Sequence, residues 1–100
     1  MRIGIWHWTK QDFNGEVLRT QPRGGTETAT VHSCEALVAL GHDVTVYCNT
    51  PVDDVFYGVE YRQARGFGNQ ISSQQFDAFG VVRHLAALTV PINTRVLFYW

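Results

Sequence analysis

Short apolar segments alternate with polar stretches along the 100 residues of this chain. Residues 2–8 begin almost at the amino terminus and are rich in β-branched and aromatic side chains. A nearly continuous apolar segment of this length is typical of a strand buried on both faces, as in the middle of a parallel sheet. The same kind of pattern, bounded by turn residues, predicts further strands at residues 43–48, 59–62, 76–82 and 94–100.

A helix is predicted at residues 26–40, followed by Gly41, a residue that commonly ends helices. Its buried face is expected to consist of the small and apolar residues spaced three and four apart, namely Ala29, Ser33, Ala36, Leu37 and Leu40. Strand, helix and strand within residues 2–48 form a βαβ unit, which gives a parallel sheet with a right-handed crossover. We therefore expect an α/β fold with a Rossmann-like open, mostly parallel sheet and flanking helices, in one domain over residues 1–100.

The connection between the first strand and this helix is long and polar. It covers residues 9–23, contains Asn14-Gly15 and Pro22, and is predicted to be a loop. Long ordered loops carry function more often than short ones do. Two further segments are predicted less specifically, a loop at residues 66–69 and a short helix at residues 83–88.

Composition and charge narrow the function classes. Hydrophobic residues make up 45% of the chain and charged residues 17%, which is the balance of a folded domain. The net charge of −1 disfavours a general electrostatic grip on nucleic acid. Cys34 and Cys48 do not suffice for a disulfide scaffold, and the scattered histidines and cysteines predict no metal site. With no apolar run near the roughly 20 residues of a membrane span and no secretory signal, we expect a soluble, cytoplasmic domain.

The motif Gly24-Gly25-Thr26-Glu27 lies where the first loop meets the helix. Glycine permits close approach of a ligand to the backbone, and the free N–H groups of a helix N-terminus favour an anion such as phosphate. Other interpretations stay open. The glycines make a tight turn, with positive φ at Gly25, and the side chain of Thr26 or Glu27 stabilises the helix start. The motif is neither the dinucleotide fingerprint nor a P-loop, because G-x-G-x-x-G and Gly-Lys-Ser/Thr are both absent from the sequence.

Together with Gly41-His42-Asp43-Val44-Thr45-Val46, this motif resembles the N-terminal domain of the retaining glycosyltransferases of family 4. Members of that family often carry Gly-Gly-x-Glu at the first helix and Gly-His-(Asp/Glu)-Val-x-Val before the second strand. The resemblance implies the two-domain GT-B fold, of which residues 1–100 would form the N-terminal, acceptor-side half. Residues 51–75 match no motif of the family.

The resemblance also implies roles for the residues of the glycine motif. Gly24, Gly25, Thr26 and Arg23 are assigned to the diphosphate of a nucleotide-sugar donor, and Glu27 to bracing the loop. The catalytic residues are not identified, because the family's donor site and its pair of glutamates belong to a C-terminal domain. We therefore expect no transferase turnover from residues 1–100 alone.

Other candidate residues lie near the predicted strand ends. His7 and Trp8 lie at the carboxyl end of the first strand, where side chains that face an acceptor would lie, although a lone histidine at such a position is more often structural. Arg83 would meet an anionic ligand or a neighbouring carboxylate. His42 is expected to brace the turn before the second strand by satisfying backbone carbonyls.

The expected function is transfer of a glycosyl group from a nucleotide sugar to a hydroxyl group of a carbohydrate or lipid acceptor, with no cofactor. The alternative is a stand-alone Rossmann-like domain that binds a nucleotide or phosphorylated ligand without turnover. Nucleic-acid partners and a transmembrane segment are not expected, while peripheral membrane contact stays open. Self-association is expected if a sheet edge or an apolar surface is uncovered.

Overall fold

The computed structural model describes residues 1–64, 75–82 and 94–99. The predictions made for residues 66–69 and 83–88, for Arg83 and for Trp100 lie outside these ranges. The elements, in chain order, are β1 (Arg2–His7), α1 (Gly15–Thr20), α2 (Gly25–Ala39), β2 (Asp43–Cys48), β3 (Asp54–Phe56), β4 (Val59–Gln63), β5 (Phe76–Val81) and β6 (Thr94–Tyr99).

The six strands form one sheet in the order β3-β4-β2-β1-β5-β6. All neighbouring strands pair in parallel except β3 and β4, which form an antiparallel hairpin at one edge. The predicted α/β class and mostly parallel sheet are thus confirmed, and the architecture is compatible with a Rossmann-like fold. The pairing of β1 with β2 is parallel, with Arg2 opposite Asp43 and His7 opposite Cys48.

β1 lies inside the sheet and is buried on both of its faces, as its apolar sequence predicts. Ile3 and Ile5 pack in the core layer that also contains residues of α2, whereas Trp6 belongs to a separate cluster with Phe76 and Phe79. The aromatic cluster leaves no room above Gly4, where a Cβ would lie 2.5 Å from the Phe79 ring. Glycine is required there by packing.

Packing also explains the glycine at residue 80 in β5. A Cβ at this position would lie 2.4 Å from the ring of Phe98 and 3.1 Å from Ile5. Glycine weakens a strand by itself, so the sequence makes this strand a weaker prediction. In the structure the missing side chain makes room for a ring of the neighbouring strand β6.

The predicted buried face of the long helix is wrong. Ala29, Ser33, Ala36 and Leu40 are exposed and Leu37 is half-buried, with Leu40 reaching 74% exposure. The residues of α2 that are fully buried are Thr30, Val31 and Cys34. Apolar residues occur on more than one side of this helix, and the side that faces the sheet carries Val31 and Cys34, with Leu37 and Val38 packed against the same core.

α1 and β3 were not predicted, whereas β4 matches the strand expected at residues 59–62. α1 lies within the segment predicted to be a loop, and its N-cap is Asn14, whose side-chain oxygen accepts the N–H of Val17 at 2.7 Å. The β3–β4 hairpin turns at Tyr57 and Gly58, which have φ values of 53° and 82°. Two successive residues with positive φ are the geometry of a tight hairpin turn. Arg19 of α1 lies over the Tyr57 ring at 3.5 Å, so the two unpredicted elements pack against each other.

Among the described strands, β6 lies at one edge of the sheet, and its apolar side chains at Val96, Leu97 and Phe98 are exposed. Such an edge offers unpaired backbone groups to another strand, and self-association of the chain stays a prediction. Within the described ranges, no helix has the length and apolar character that crossing a bilayer requires.

Two glycines with positive φ provide a matched test of this packing. Gly41, after α2, has φ of 95° and open space around a Cβ, whereas a Cβ at Gly58 would lie 2.6 Å from Cγ1 of Val38. We expect Gly41→Ala to lower the free energy of unfolding by about 1–2 kcal/mol through backbone strain. Gly58→Ala should cost roughly 1–3 kcal/mol more, because the hairpin must also move away from α2.

Urea unfolding of both variants measures this difference. In a Val38→Ala background the extra cost of Gly58→Ala should disappear, since the clashing methyl group is gone. Equal destabilisation by the two glycine substitutions in the natural background would show that the hairpin does not pack on α2 as described.

Candidate functional site

The candidate site lies at the carboxyl edge of the sheet, where β1 ends and α2 begins. β2 and β4 lie on one side of β1, and β5 and β6 on the other. The strand order therefore changes direction between β1 and β5. In open α/β sheets, ligands bind in the crevice outside the carboxyl ends of the strands at this point.

The N-terminus of α2 is partly satisfied by its own third residue. Glu27 Oε2 accepts the N–H of Gly24 at 3.0 Å, and Gly24 itself has no side chain with which to cap the helix. Among the described residues, no side chain or backbone carbonyl accepts the N–H groups of Gly25 and Thr26. Free N–H groups therefore remain at Gly25 and Thr26, whereas the N–H of Gly24, which the resemblance also assigns to the diphosphate, is taken by Glu27.

Gly25 has no conformational need for glycine. Its φ lies outside the positive range, and a Cβ built on it would meet no atom within 4 Å. The tight-turn interpretation with positive φ at this residue is therefore wrong. Alanine would be the better helix former here, so neither the backbone conformation nor the packing of the fold explains the glycine.

Arg23 is held inside the loop. Its Nε donates to the carbonyl of Asp12 at 2.6 Å, and one terminal nitrogen donates to Oδ1 of Asp12 at 2.8 Å. The other terminal nitrogen donates to the carbonyl of Pro22 at 2.7 Å. All three guanidinium nitrogens are thus engaged within the chain, and the side chain is 8% exposed. These hydrogen bonds attach Arg23 to Asp12 and Pro22, and so fix the connection between β1 and α2.

His7 lies beneath α2 and is 3% exposed. Its Nδ1 is 3.0 Å from the hydroxyl of Thr30, and its Nε2 is 3.9 Å from Oε1 of Glu27. The ring also packs against Phe13, with centroids 5.0 Å apart. Glu27 therefore links the buried end of β1 to the glycine loop.

Trp8, the next residue, is 43% exposed at the same edge. The backbone that follows it is fixed by Asn49, whose side-chain nitrogen donates to the carbonyls of Thr9 at 3.2 Å and Lys10 at 3.0 Å. Asn49 also accepts the N–H of Phe13 through its own carbonyl at 2.9 Å. An exposed aromatic ring thus stands on a loop that the end of β2 holds in place.

The remaining candidates are not brought together with this edge. His42 lies at the opposite end of α2, where its Nδ1 is 3.1 Å from the amino group of Met1 rather than from a backbone carbonyl. Arg83 lies outside the described residues. Within those residues, no group of three or more histidine, cysteine or acidic side chains could hold a metal ion.

The two thiols are core residues. Cys34 and Cys48 are buried, and burial raises the pKa of Cys34 to about 12 and that of Cys48 well above its usual range. A thiol with such a pKa carries almost no thiolate at neutral pH, so neither side chain is suited to nucleophilic chemistry.

A second concave region lies at the amino ends of the strands. This cleft of about 260 Å³ is lined by Arg2, Thr45 and Glu60, among others. Glu60 is already occupied, because it accepts hydrogen bonds from Thr45 at 3.1 Å and from Arg62 at 3.1 Å. The Arg62 hydrogen bond holds the pKa of Glu60 below its usual value. The amino end of a parallel sheet is not where such folds bind ligands, so we place the site at the carboxyl edge.

Sequence reasoning missed Asn49 and Thr30, which hold the loop and the histidine. Thr30 belongs to no motif, and only its position on the buried side of α2, next to His7, gives it a role. Asparagine before Thr50-Pro51 is common in turns, so the sequence gives Asn49 no role beyond the turn after β2. Its side chain instead reaches the neighbouring loop of β1, a contact between residues far apart in the chain.

Replacing Asn49 tests whether the loop depends on it. Asn49→Ala removes two neutral hydrogen bonds, so we expect the free energy of unfolding to fall by about 1–2 kcal/mol. The amides of residues 9–12 should also exchange faster with solvent, because the loop loses its attachment to β2. Gln11→Ala, which shortens an exposed side chain of the same loop, is the control and should change neither quantity. An Asn49→Ala protein with unchanged stability and exchange would contradict this account.

Comparison with protein-family models, with curated proteins and with solved structures finds no match to this chain. The resemblance to the glycosyltransferases thus depends on the two sequence motifs alone.

Proposed function

We propose that this chain is the acceptor-side, N-terminal domain of a nucleotide-sugar-dependent glycosyltransferase with the GT-B fold. The observation that carries the proposal is the pair of free N–H groups at Gly25 and Thr26, which open onto unfilled space at the N-terminus of α2. Backbone donors at a helix N-terminus suit a diphosphate, because they combine hydrogen bonding with the positive end of the helix dipole.

The position of these donors supports the same function. They lie at the carboxyl edge beside the point where the strand order reverses, the place at which doubly wound folds bind nucleotides. Trp8 is exposed at this edge as well, so a donor diphosphate and an acceptor would find contacts at one end of the sheet.

The reaction would break the bond between the anomeric carbon of the donor sugar and its diphosphate oxygen. A new bond would form from that carbon to the acceptor oxygen, and the acceptor hydroxyl would lose its proton. Negative charge grows on the departing diphosphate, and N–H groups already oriented toward it stabilise that charge without having to reorganise. This domain would contribute the positioning of both groups. We assign no residue of it to the proton transfer.

Binding of a nucleotide or phosphorylated ligand without turnover is the second candidate. It is favoured by the burial of His7, which removes a general base from the exposed part of the edge. A nucleotide-sugar hydrolysis or transfer assay on the protein that carries this domain separates the two functions, because only the transferase consumes its ligand.

Gly25→Val is the substitution that tests the diphosphate site. A Cβ at residue 25 meets nothing in the fold and φ is not positive, so the variant should unfold at nearly the natural temperature. The branched side chain would occupy the space that a diphosphate needs and would keep it from one or two charge-assisted hydrogen bonds. We expect the affinity for the matching nucleoside diphosphate to fall by about 10²-fold.

Calorimetric titration with UDP, GDP and ADP, together with thermal unfolding, provides the measurement. Ala36→Val is the control, since it introduces the same valine side chain at an exposed position of α2 far from the loop. A folded Gly25→Val protein that binds these nucleotides as tightly as the natural chain would rule out the site.

A further inference from the structure

His7 is a titratable side chain enclosed in the core at the end of β1. It is 3% exposed, its Nδ1 is 3.0 Å from the hydroxyl of Thr30, and its ring packs against Phe13. Its Nε2 lies 3.9 Å from Oε1 of Glu27, too far for a hydrogen bond but close enough for the two groups to interact electrostatically. A hydrocarbon side chain would fill this place without the cost of burying a polar ring. What histidine adds is a proton that it can gain and lose near neutral pH.

Glu27 connects this ring to the N-terminus of α2. Its Oε2 accepts the N–H of Gly24 at 3.0 Å, while its Oε1 faces His7. The N–H groups of Gly25 and Thr26, which directly precede Glu27 in the chain, are the donors proposed for a diphosphate. One carboxylate group thus reaches from the buried ring to the helix start at which the anion would bind.

Negative charge at this helix start changes the balance between the two forms of His7. Burial disfavours a charged imidazolium, because the ion loses its hydration in the core. The carboxylate of Glu27 offsets part of that cost, and a diphosphate beside it would add further negative charge. With His7 neutral, the carboxylate and the diphosphate would repel each other at close range. A proton on the ring compensates both negative groups.

A second titratable group lies next to the ring in the part of the chain that the structure describes. Cys48 of β2 is opposite His7 in the register of the sheet, and burial raises the pKa of its thiol far above the neutral range. Cys34 of α2 belongs to the same core cluster, and burial raises its pKa to about 12. Both thiols stay neutral near pH 7, and Val82, which follows β5, is apolar. Glu27 therefore supplies negative charge here, and His7 the group that binds a proton.

We propose that His7 and Glu27 form a proton-linked pair that makes anion binding at the start of α2 depend on pH. His7 takes up a proton from solvent when a diphosphate binds at Gly25 and Thr26. The diphosphate in turn binds more tightly when the ring is already protonated, because the coupling between two binding equilibria is reciprocal. Glu27 keeps its hydrogen bond to Gly24 throughout. This inference rests on the proposed diphosphate site and adds a means of regulation to it.

Calorimetric titration with UDP, GDP and ADP between pH 5 and pH 8 tests the link. The natural chain is compared with His7→Gln, whose amide can hydrogen-bond to Thr30 but does not titrate. The ionisation of the nucleotide itself is the same in both titrations, so the ratio of the two affinities isolates the contribution of His7. We expect the natural chain to bind about tenfold more tightly at pH 5 and equally well at pH 8. His32→Gln, at an exposed position of the same helix, is the control and should bind like the natural chain at every pH.

Nuclear magnetic resonance of the histidine rings provides a measurement in which the buried ring is not replaced. Near pH 6.5, saturation with the nucleotide should move the ring C–H signals of His7 toward those of the charged imidazole. The signals of His32, which is exposed, and of His42, at the other end of α2, should stay in place. Glu27→Gln removes the charge but keeps an oxygen that can accept the N–H of Gly24. In this variant without ligand, His7 should titrate about one pH unit lower than in the natural chain.

The outcomes separate the pair from the site on which it acts. Nucleotide binding whose affinity ratio between the natural chain and His7→Gln is the same at every pH would overturn the pair and leave the diphosphate site standing. Identical titration of His7 in the natural chain and in Glu27→Gln would also overturn it. Absence of nucleotide binding at every pH would overturn the diphosphate site and this link together, even where Glu27→Gln shifts the titration of the ring.

Discussion

The burial of β1 on both edges and both faces is the constraint on which the rest of this molecule depends. The strand pairs with β2 on one side and β5 on the other, so its register fixes both halves of the sheet. Its side chains alternate between the core under α2 and the aromatic cluster on the other face. A shift of register by one residue would move every one of them to the wrong face. Gly4 adds a second restriction, because the Phe79 ring occupies the space that any side chain would need.

The arrangement of the candidate site depends on this strand. As β1 leaves the sheet it delivers His7 to the underside of α2 and Trp8 to the surface, which are the outcomes of simple alternation. Glu27 then connects the two parts, since one carboxylate oxygen accepts the N–H of Gly24 and the other faces the His7 ring. The N-terminus of α2 is thereby set at a defined position above the strand end, and the N–H groups of Gly25 and Thr26 remain free.

Most of the sheet could be predicted from the sequence, because buried parallel strands are short apolar runs and the turns between them carry glycine, asparagine and proline. The buried face of α2 could not be predicted, because alanine, valine and leucine occur on several sides of the helix. Which side is buried depends on where the sheet lies. The β3–β4 hairpin could not be predicted from the sequence for another reason. Its turn is Tyr57-Gly58, and tyrosine with positive φ is not a residue that predicts such a turn.

The glycine motif lies at the N-terminus of α2, but the contacts of its residues depend on parts of the chain that are distant in sequence. Sequence spacing places Glu27 one turn into the helix, and only the fold shows that its carboxylate takes the N–H of Gly24. Arg23 is adjacent to the glycines in sequence, yet its guanidinium is bound to Asp12. Partners of this kind are set by tertiary geometry, which local patterns do not contain.

A crystal structure of the chain with a bound nucleoside diphosphate tests the central claim, that the carboxyl edge at the start of α2 is a diphosphate site. The account predicts phosphate oxygens within about 3 Å of the backbone nitrogens of Gly25 and Thr26, with Glu27 still bonded to Gly24. A diphosphate bound instead in the cleft at the amino ends of the strands, against Arg2 and away from α2, would contradict it.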